Sequence, residues 1–447
     1  MEFFHAASQS LSGALALAKG MRQPTLPLKA TFTRMKGVSL PRSHHSISVI
    51  KGRAYIFGGL DASGQFADNA MHIVNLPSDL MAADYQAIPA RPVEKEGAVP
   101  RKRKGHTAVV VGDLIYVFGG ELEDGEEEVK GRLWVFNSYN NTWSYVDPKP
   151  DSDFPQLRTG HASAGSEEPQ AELKPPKADI LPQQPPDPAK YLSEPPEPGS
   201  WGSVFVAGGR SLDGSVLDDA WVFDIRSKTW FSLPSPPGGG RVGASLIVAG
   251  ERLYRLGGKS EKGGQEAKGI DFLEVGALWK FGLRGSAFGD LAKSSLMGDW
   301  VTSTPQHHPG TRVEAGLVHV TTGQGRGYLL MIGGETAEQS FTDEVWAYQL
   351  PPTKSTAASI IDSAKSAMKD DTHEGQWAEV VYQYLNDEGD VVQEQKAGSP
   401  AAKGVGARGH FAYAKGTEVD GATAVVWGGV RGERKVLDDG WMIHLDR

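Results

Sequence analysis

The chain has no cysteine among its 447 residues. Disulfides, thiolate metal sites, iron–sulfur clusters and cysteine nucleophiles are therefore excluded, and the absence fits a reducing compartment. No run of 18 apolar residues exists, so nothing reads as a membrane span. A basic surplus is missing too: 46 Lys and Arg stand against 55 Asp and Glu, a net charge of −9. A general nucleic-acid binder needs the opposite field to engage phosphates. The mildly apolar stretch Leu11–Ala18 is preceded by Glu2 and by no Lys or Arg, so it lacks the positive start of a secretory signal. With only Lys19 and Arg22 basic, it is also a weak mitochondrial presequence; a small docked or frayed helix is the expectation. Phosphate loops, hydrolase elbows and His-Glu-x-x-His motifs are likewise absent.

What the chain does have is a repeat. An apolar strand ending in two glycines occurs six times, at Gly58-Gly59, Gly119-Gly120, Gly208-Gly209, Gly257-Gly258, Gly333-Gly334 and Gly428-Gly429. The clearest copy is Leu114-Ile115-Tyr116-Val117-Phe118-Gly119-Gly120. Repeats that stack share one core, so the repeat outweighs the length as a guide to domain count. Each copy sits in a larger unit. An arginine precedes the first strand: Arg42, Arg103, Arg158, Arg241, Arg312 and Arg408. In four units a histidine follows: His45 (with His44 before it), His106, His161 and His410. A third strand carries Trp134, Trp221, Trp279, Trp346 or Trp441, and a fourth carries a second aromatic such as Trp143, Trp230, Trp300 or Trp377. The first unit has Met71 and Tyr85 in place of the two tryptophans. Short strands, alternation and Gly/Asn/Asp turns make this an all-β chain with four antiparallel strands per unit.

These residues resemble the kelch repeat. The resemblance runs from about Ala30 to Arg447 and implies a six-bladed β-propeller. Glycine pairs let the backbone approach a neighbouring blade, and the tryptophans fill the wedge between sheets. The sixth unit reaches only its third strand, at Trp441. Residues 30–35, with Phe32 in the Trp position, are expected to supply its fourth strand and close the ring. The domain expectation is an extension over 1–29 and a single propeller over 30–447. Three insertions are expected to depart from it. Residues 166–200 hold ten prolines and read as a flexible, partly polyproline loop containing Pro182-Gln183-Gln184-Pro185. Residues 351–375 carry Ile360, Ile361, Ala364 and Met368 at helical spacing. Leu283–Asp299 is a smaller loop.

Loops entering the first strand and leaving the second lie on one face of a propeller. The six arginines are expected there, either gripping carboxylates or pairing with an Asp or Glu of their own or the next blade to support the loops. His45, His106, His161 and His410, with His44, could ring the axis. A histidine repeated at one blade position is more simply an inter-blade hydrogen bond, and no metal is assigned. The acidic run Glu121–Glu128 and the basic run Arg101–Lys104 are read as loops, although the latter also has the look of a nuclear-import signal. Copper-radical chemistry of the galactose-oxidase kind needs a cysteine, and the Glu-x3-Asp-x3-His iron pattern of plant specifier proteins has no match here. The expectation is a non-catalytic binding module for a protein partner, monomeric, cytoplasmic or nuclear, without cofactor, nucleic acid or membrane. The alternative is a small-molecule binder or catalyst at the axial mouth.

Overall fold

The computed structural model describes residues 24–76, 83–125, 129–170, 201–260, 269–282, 298–352, 371–385, 391–396, 404–416 and 421–446, with isolated positions between 359 and 366. The architecture is a six-bladed β-propeller. Blade one is Ser46–Ile50, Arg53–Phe57, Met71–Asn75 and Asp84–Ile88. Blade two is Thr107–Val111, Leu114–Phe118, Leu133–Asn137 and Thr142–Val146. Blade three is Ala162–Ser166, Ser203–Ala207, Ala220–Asp224 and Thr229–Leu233. Blade four is Arg241–Ala249, Arg252–Ser260, Ile270–Glu274 and Val301–Ser303. Blade five is Gly316–Thr322, Arg326–Ile332, Val345–Gln349 and Trp377–Glu379. Blade six is Ala412–Lys415, Thr423–Trp427, Gly440–Asp446 and the N-terminal Lys29–Arg34, which pairs antiparallel with Gly440–Asp446 from Lys29↔Asp446 to Arg34↔Trp441.

The glycine pairs are explained by one contact made six times. The amide N–H of the second glycine donates to the carbonyl of the next blade's repeat arginine. The bonds run Gly59 to Arg103, Gly120 to Arg158, Gly209 to Arg241 and Gly258 to Arg312, each at 2.8 Å, then Gly334 to Arg408 at 3.0 Å. Gly429 to Arg42, at 2.8 Å, joins blade six to blade one with the same geometry. A side chain at the first glycine would collide with that same carbonyl: a Cβ on Gly428 would stand 2.3 Å from the Arg42 oxygen. A Cβ on the second would strike the chain at the entry to the first strand of its own blade, 2.6 Å from the His161 Cβ in the case of Gly209. All twelve glycines have φ between 54° and 96°, the left-handed region that glycine enters at no steric cost.

The wedges between blades are filled as the aromatic pattern implies. Trp143 packs on Phe57 of the preceding blade at 5.0 Å and on Phe136 of its own at 5.1 Å. Trp230 does the same with Phe118 and Phe223. Trp377 takes the fourth-strand position in blade five, against Tyr348. The expectation for Trp279 is corrected. It belongs to the short helix Gly276–Gly282 that follows the third strand of blade four. The third strand itself, Ile270–Glu274, carries no tryptophan. The helix buries Leu278 and Trp279 against the blade, so the ring fills core from a different element.

Outer edges are partly covered. Residues 91–93 bond both ways to Trp143, Trp143 N–H to the Arg91 carbonyl and Val93 N–H to the Trp143 carbonyl, both at 2.8 Å. Blade six is extended by a hairpin that the four-strand template does not contain: Val381–Leu385 lies parallel to Lys29–Arg34, and Val391–Lys396 lies outside it. Tyr382 is fully buried there, 4.4 Å from the Phe32 ring, with its hydroxyl donating to the Asp343 carbonyl at 2.6 Å. Covering the closing strand protects the one blade assembled from both ends of the ring. The 167–202 insertion leaves blade three in register, with Ala162↔Ala207 through Ser166↔Ser203. Residues 171–200 and most of 353–370 lie outside the described residues, and with them the polyproline and helical expectations. At the described positions of the second insertion, Asp362 is buried and accepts a hydrogen bond from Arg326 of blade five.

Two measurements test this account. Gly428→Ala meets both strain and the Arg42 carbonyl, whereas Gly52→Ala at φ 75° meets nothing within 4 Å. Both should lose about 1–3 kcal/mol for the backbone conformation alone. Denaturant midpoints should place Gly428→Ala clearly below Gly52→Ala. Trp143→Ala, at a fully buried inter-blade site, should cost about 3–5 kcal/mol in the same assay.

Candidate functional site

The six repeat arginines are buried, Arg103 and Arg158 completely, and so do not form an accessible ring. Of the two readings of these arginines, gripping the carboxylates of a ligand or pairing with acids of the blades, the burial supports the second. Their guanidinium groups turn inward. Nη1 donates to the carbonyl of the first glycine in the same unit, from Arg103 to Gly119, Arg158 to Gly208, Arg241 to Gly257 and Arg408 to Gly428, at 3.0–3.3 Å. Acids at the start of the third strand complete the contact. Asp219 takes a bidentate pair from Arg158 at 2.6 and 2.8 Å and a third bond from Trp221 Nε1 at 2.7 Å. Glu344 joins Arg312 to Trp346, and Asp439 joins Arg408 to Trp441. In blade four Asp271 stands between Arg241 and Arg255, and in blade one Arg42 meets His72 and Asp68. Burial pushes the Asp219 carboxyl up, but Arg158 and Trp221 outweigh it and hold the group below its ordinary range. An acid two residues before tryptophan was the sequence signal for these triads.

His45, His106 and His161 are also buried between blades. His106 Nε2 meets Ser46 Oγ at 2.9 Å, and His161 Nε2 meets Thr107 Oγ1 at 2.7 Å. The equivalent partner of His45 is Ala412, which has no hydroxyl, and both His45 ring nitrogens lack a hydrogen-bond partner. Burial pushes all three rings down, His161 to about 3 and the other two well below the usual value, with neighbouring arginines adding to the effect. Among the described residues no group of three or more His, Asp or Glu is placed to hold a metal ion.

The axial mouth is built by the residue two after each repeat arginine. All six have left-handed φ: His44 54°, Gly105 62°, Gly160 60°, Gly243 66°, Glu314 53° and His410 52°. Backbone bonds step from blade to blade around the axis. His44 donates to His410, Gly105 to His44, Gly160 to Gly105, Gly243 to Gly160 and Glu314 to Gly243, at 2.8–3.0 Å. Three blades use glycine for this turn, and three contiguous blades present a side chain. The His44 and His410 rings stack with centroids 4.1 Å apart and planes 21° apart. His410 Nδ1 stands 4.0 Å from Glu314 Oε1 and has no hydrogen-bond partner. Burial pushes His44 down to about 3, helped by His410, Lys104 and Arg434. Burial pushes the Glu314 carboxyl up; His410 opposes this and Glu335 adds to it.

Below the mouth lies an axial cavity of about 730 Å³. Its walls include the small residues Ala108, Ala164, Gly165, Ala244, Ala412 and Ala414 of the innermost strands. Farther along those strands, His319 and Lys415 face the cavity, and burial pushes both down, His319 to about 4. A groove of about 1040 Å³ also opens on His44 and His410 and runs between the loops after the glycine pairs of blades five and six. Phe341, Arg431, Glu433 and Arg434 border it. Glu433 and Arg434 both have positive φ, 57° and 55°. On the opposite side the described acids of the acidic run pair with the basic run: Arg101 with Asp124, Lys102 with Glu123 and Lys104 with Glu121, at 2.7–3.2 Å.

Comparison with known proteins agrees with this geometry. A family model for the KLHDC2/KLHL20/DRC7 kelch-repeats domain matches residues 30–168, and a kelch-motif model matches residues 202–237. The chain is a kelch-repeat β-propeller. Similar proteins include the Rho GTPase-activating protein gacHH of Dictyostelium discoideum, 31% identical over 33% of this chain and 9% of that protein. The N-(sulfonatooxy)prop-2-enimidothioate sulfolyase of Thlaspi arvense is 30% identical over 29% of this chain and 34% of that protein. Human host cell factor 1 is 39% identical over 17% of this chain and 3% of that protein. The kelch chain thus matches about a third or less of the length of each. A solved structure, that of YjhT, aligns over 92% of this chain and 99% of its own with a TM-score of 0.52 and 13% identity, a likeness of fold alone.

The buried histidines predict an acid response. An unfolded histidine titrates near 6.5, whereas His161 does so at about 3 in the fold. Between those values the unfolded chain binds protons that the folded chain refuses, so stability falls as pH falls. The slope is at most about 1.4 kcal/mol per pH unit for each such histidine. Urea midpoints from about pH 7 to about pH 4 should therefore drop, and His161→Ala should remove one proton's worth of that slope.

Proposed function

We propose that this kelch propeller is a protein-binding module whose partner rests on the face of the axial mouth, across the post-glycine loops of blades five and six. The observation that carries this reading is the groove from His44 and His410 outward past Phe341, Arg431 and Arg434. It joins an aromatic ring to exposed guanidinium groups, the residue types that dominate protein interfaces. Its borders are loops that the repeat does not constrain, so they are where a ligand preference can be written. The matched relatives range from a GTPase-activating protein to a lyase, so fold alone does not choose among functions. A cytoplasmic or nuclear setting, with the chain acting as a monomer, belongs to the same proposal.

A second reading, a small-molecule binder or catalyst at the mouth, is favoured by one feature, the convergence of Glu314, His410 and His44.

Affinity capture from the native host separates the two. The tagged full chain should retain a protein partner that the double variant Arg431→Glu, Arg434→Glu releases. Retention of the same proteins by both chains, or of none by either, would remove the protein-binding reading.

A further inference from the structure

The fold does not ask for Glu314, His410 or His44. Their positions exist to turn the backbone in the left-handed region, and Gly105, Gly160 and Gly243 do this in the other blades. A non-glycine residue in that region is held at a cost and persists where the surroundings give it a task. Two side-chain atoms define the task. His410 Nδ1 is buried without a hydrogen-bond partner, and Glu314 Oε1 lies 4.0 Å from it. That gap is too long for a direct bond. One oxygen at an ordinary hydrogen-bond distance of about 2.8 Å from each atom spans it. With its proton on Nδ1, His410 donates to this oxygen, and the Glu314 carboxylate accepts from it. A hydroxyl group does both; a carboxylate oxygen has no proton to give, and an ammonium has no lone pair.

The surroundings select against net charge. Lys104, Arg210, Lys415, Arg431 and Arg434 border the mouth, its cavity and its groove, as do Glu121, Glu314, Glu335, Asp343 and Glu433. The signs balance, and Lys104 is already paired with Glu121. The stacked His44 ring fixes the plane of His410 and so acts as a positioning residue. The cavity beneath, about 730 Å³ with small-residue walls, falls within the size range of small-molecule sites, about 300–1,000 Å³.

We propose that the axial mouth binds an uncharged polyhydroxyl molecule, a sugar or cyclic polyol, with one hydroxyl held between His410 Nδ1 and Glu314 Oε1. The site shares His44 and His410 with the groove assigned to a protein partner, but Glu314 and the axial cavity lie outside that groove, so either assignment can fail alone. The test uses the full-length chain with neutral hexoses, pentoses and myo-inositol as probes, alongside glucuronate and glucosamine as charged analogues. Saturation-transfer NMR identifies binders and calorimetry ranks them. At least one neutral polyol should bind, and better than its charged analogue. Glu314→Gly and His410→Gly restore the residue that three blades already use, so both should fold. Each should weaken binding about tenfold, the worth of one hydrogen-bonded contact. Glu314→Gln keeps the side-chain shape and should weaken binding less than Glu314→Gly. The proposal is overturned if no neutral polyol binds, if a charged analogue binds better, or if the glycine variants bind as the parent chain does.

Discussion

The propeller depends on one hydrogen bond repeated around the axis, from the second glycine of each pair to the carbonyl of the next repeat arginine. Adjacent blades can meet this closely only where no Cβ intervenes, which is why both glycines are needed. The first clears the neighbour's carbonyl, and the second clears the entry to its own innermost strand. Because the contact joins blade six to blade one at Gly429 and Arg42, the ring closes with the spacing it has everywhere else. Closure then requires a fourth strand at that blade, and Lys29–Arg34 supplies it from the other end of the chain.

The arginine serves the same contact twice. Its carbonyl receives the neighbour's N–H, and its side chain returns to its own glycine pair and to an acid before the third-strand tryptophan. Buried ion pairs of this kind add little net stability but are costly to break, so they fix phase more than they add energy. The consequence for function is direct. Charges that the repeat recruits are spent inside the blades, and recognition falls to positions where the repeat departs from itself. The mouth shows this at residue level, where glycine in three blades gives way to Glu314, His410 and His44 in the other three. The groove shows it at loop level, where Arg431, Glu433 and Arg434 follow a glycine pair whose own geometry is invariant around the ring.

Blade count, strand order and the direction in which loops emerge were legible in the amino-acid sequence, because they follow from local chemistry. Glycine pairs, turn residues and alternating apolar strands act over a few neighbours, and six copies in phase leave one architecture. Phe32 opposite Ile443 was readable for the same reason: a missing strand and an orphan strand of matching pattern. Trp279 was misplaced because a helix and a strand bury one tryptophan equally well and the residue type does not tell them apart. The strand pair Val381–Leu385 and Val391–Lys396 carried no repeat signature and became visible only beside the strand it covers.

The chemistry needed the tertiary structure. In sequence, Arg158 and Arg434 are both basic residues near a glycine; burial makes the first a structural strut and exposure makes the second part of a surface. His45 and His44 are adjacent, yet one ring packs between blades and the other stacks over the axis on a histidine more than 360 residues away in the chain. Sequence determined the ring because its contacts are local rules repeated. The three-dimensional fold decided the mouth, because Glu314, His410 and His44 come from three separate blades and acquire shared chemistry only when the ring closes.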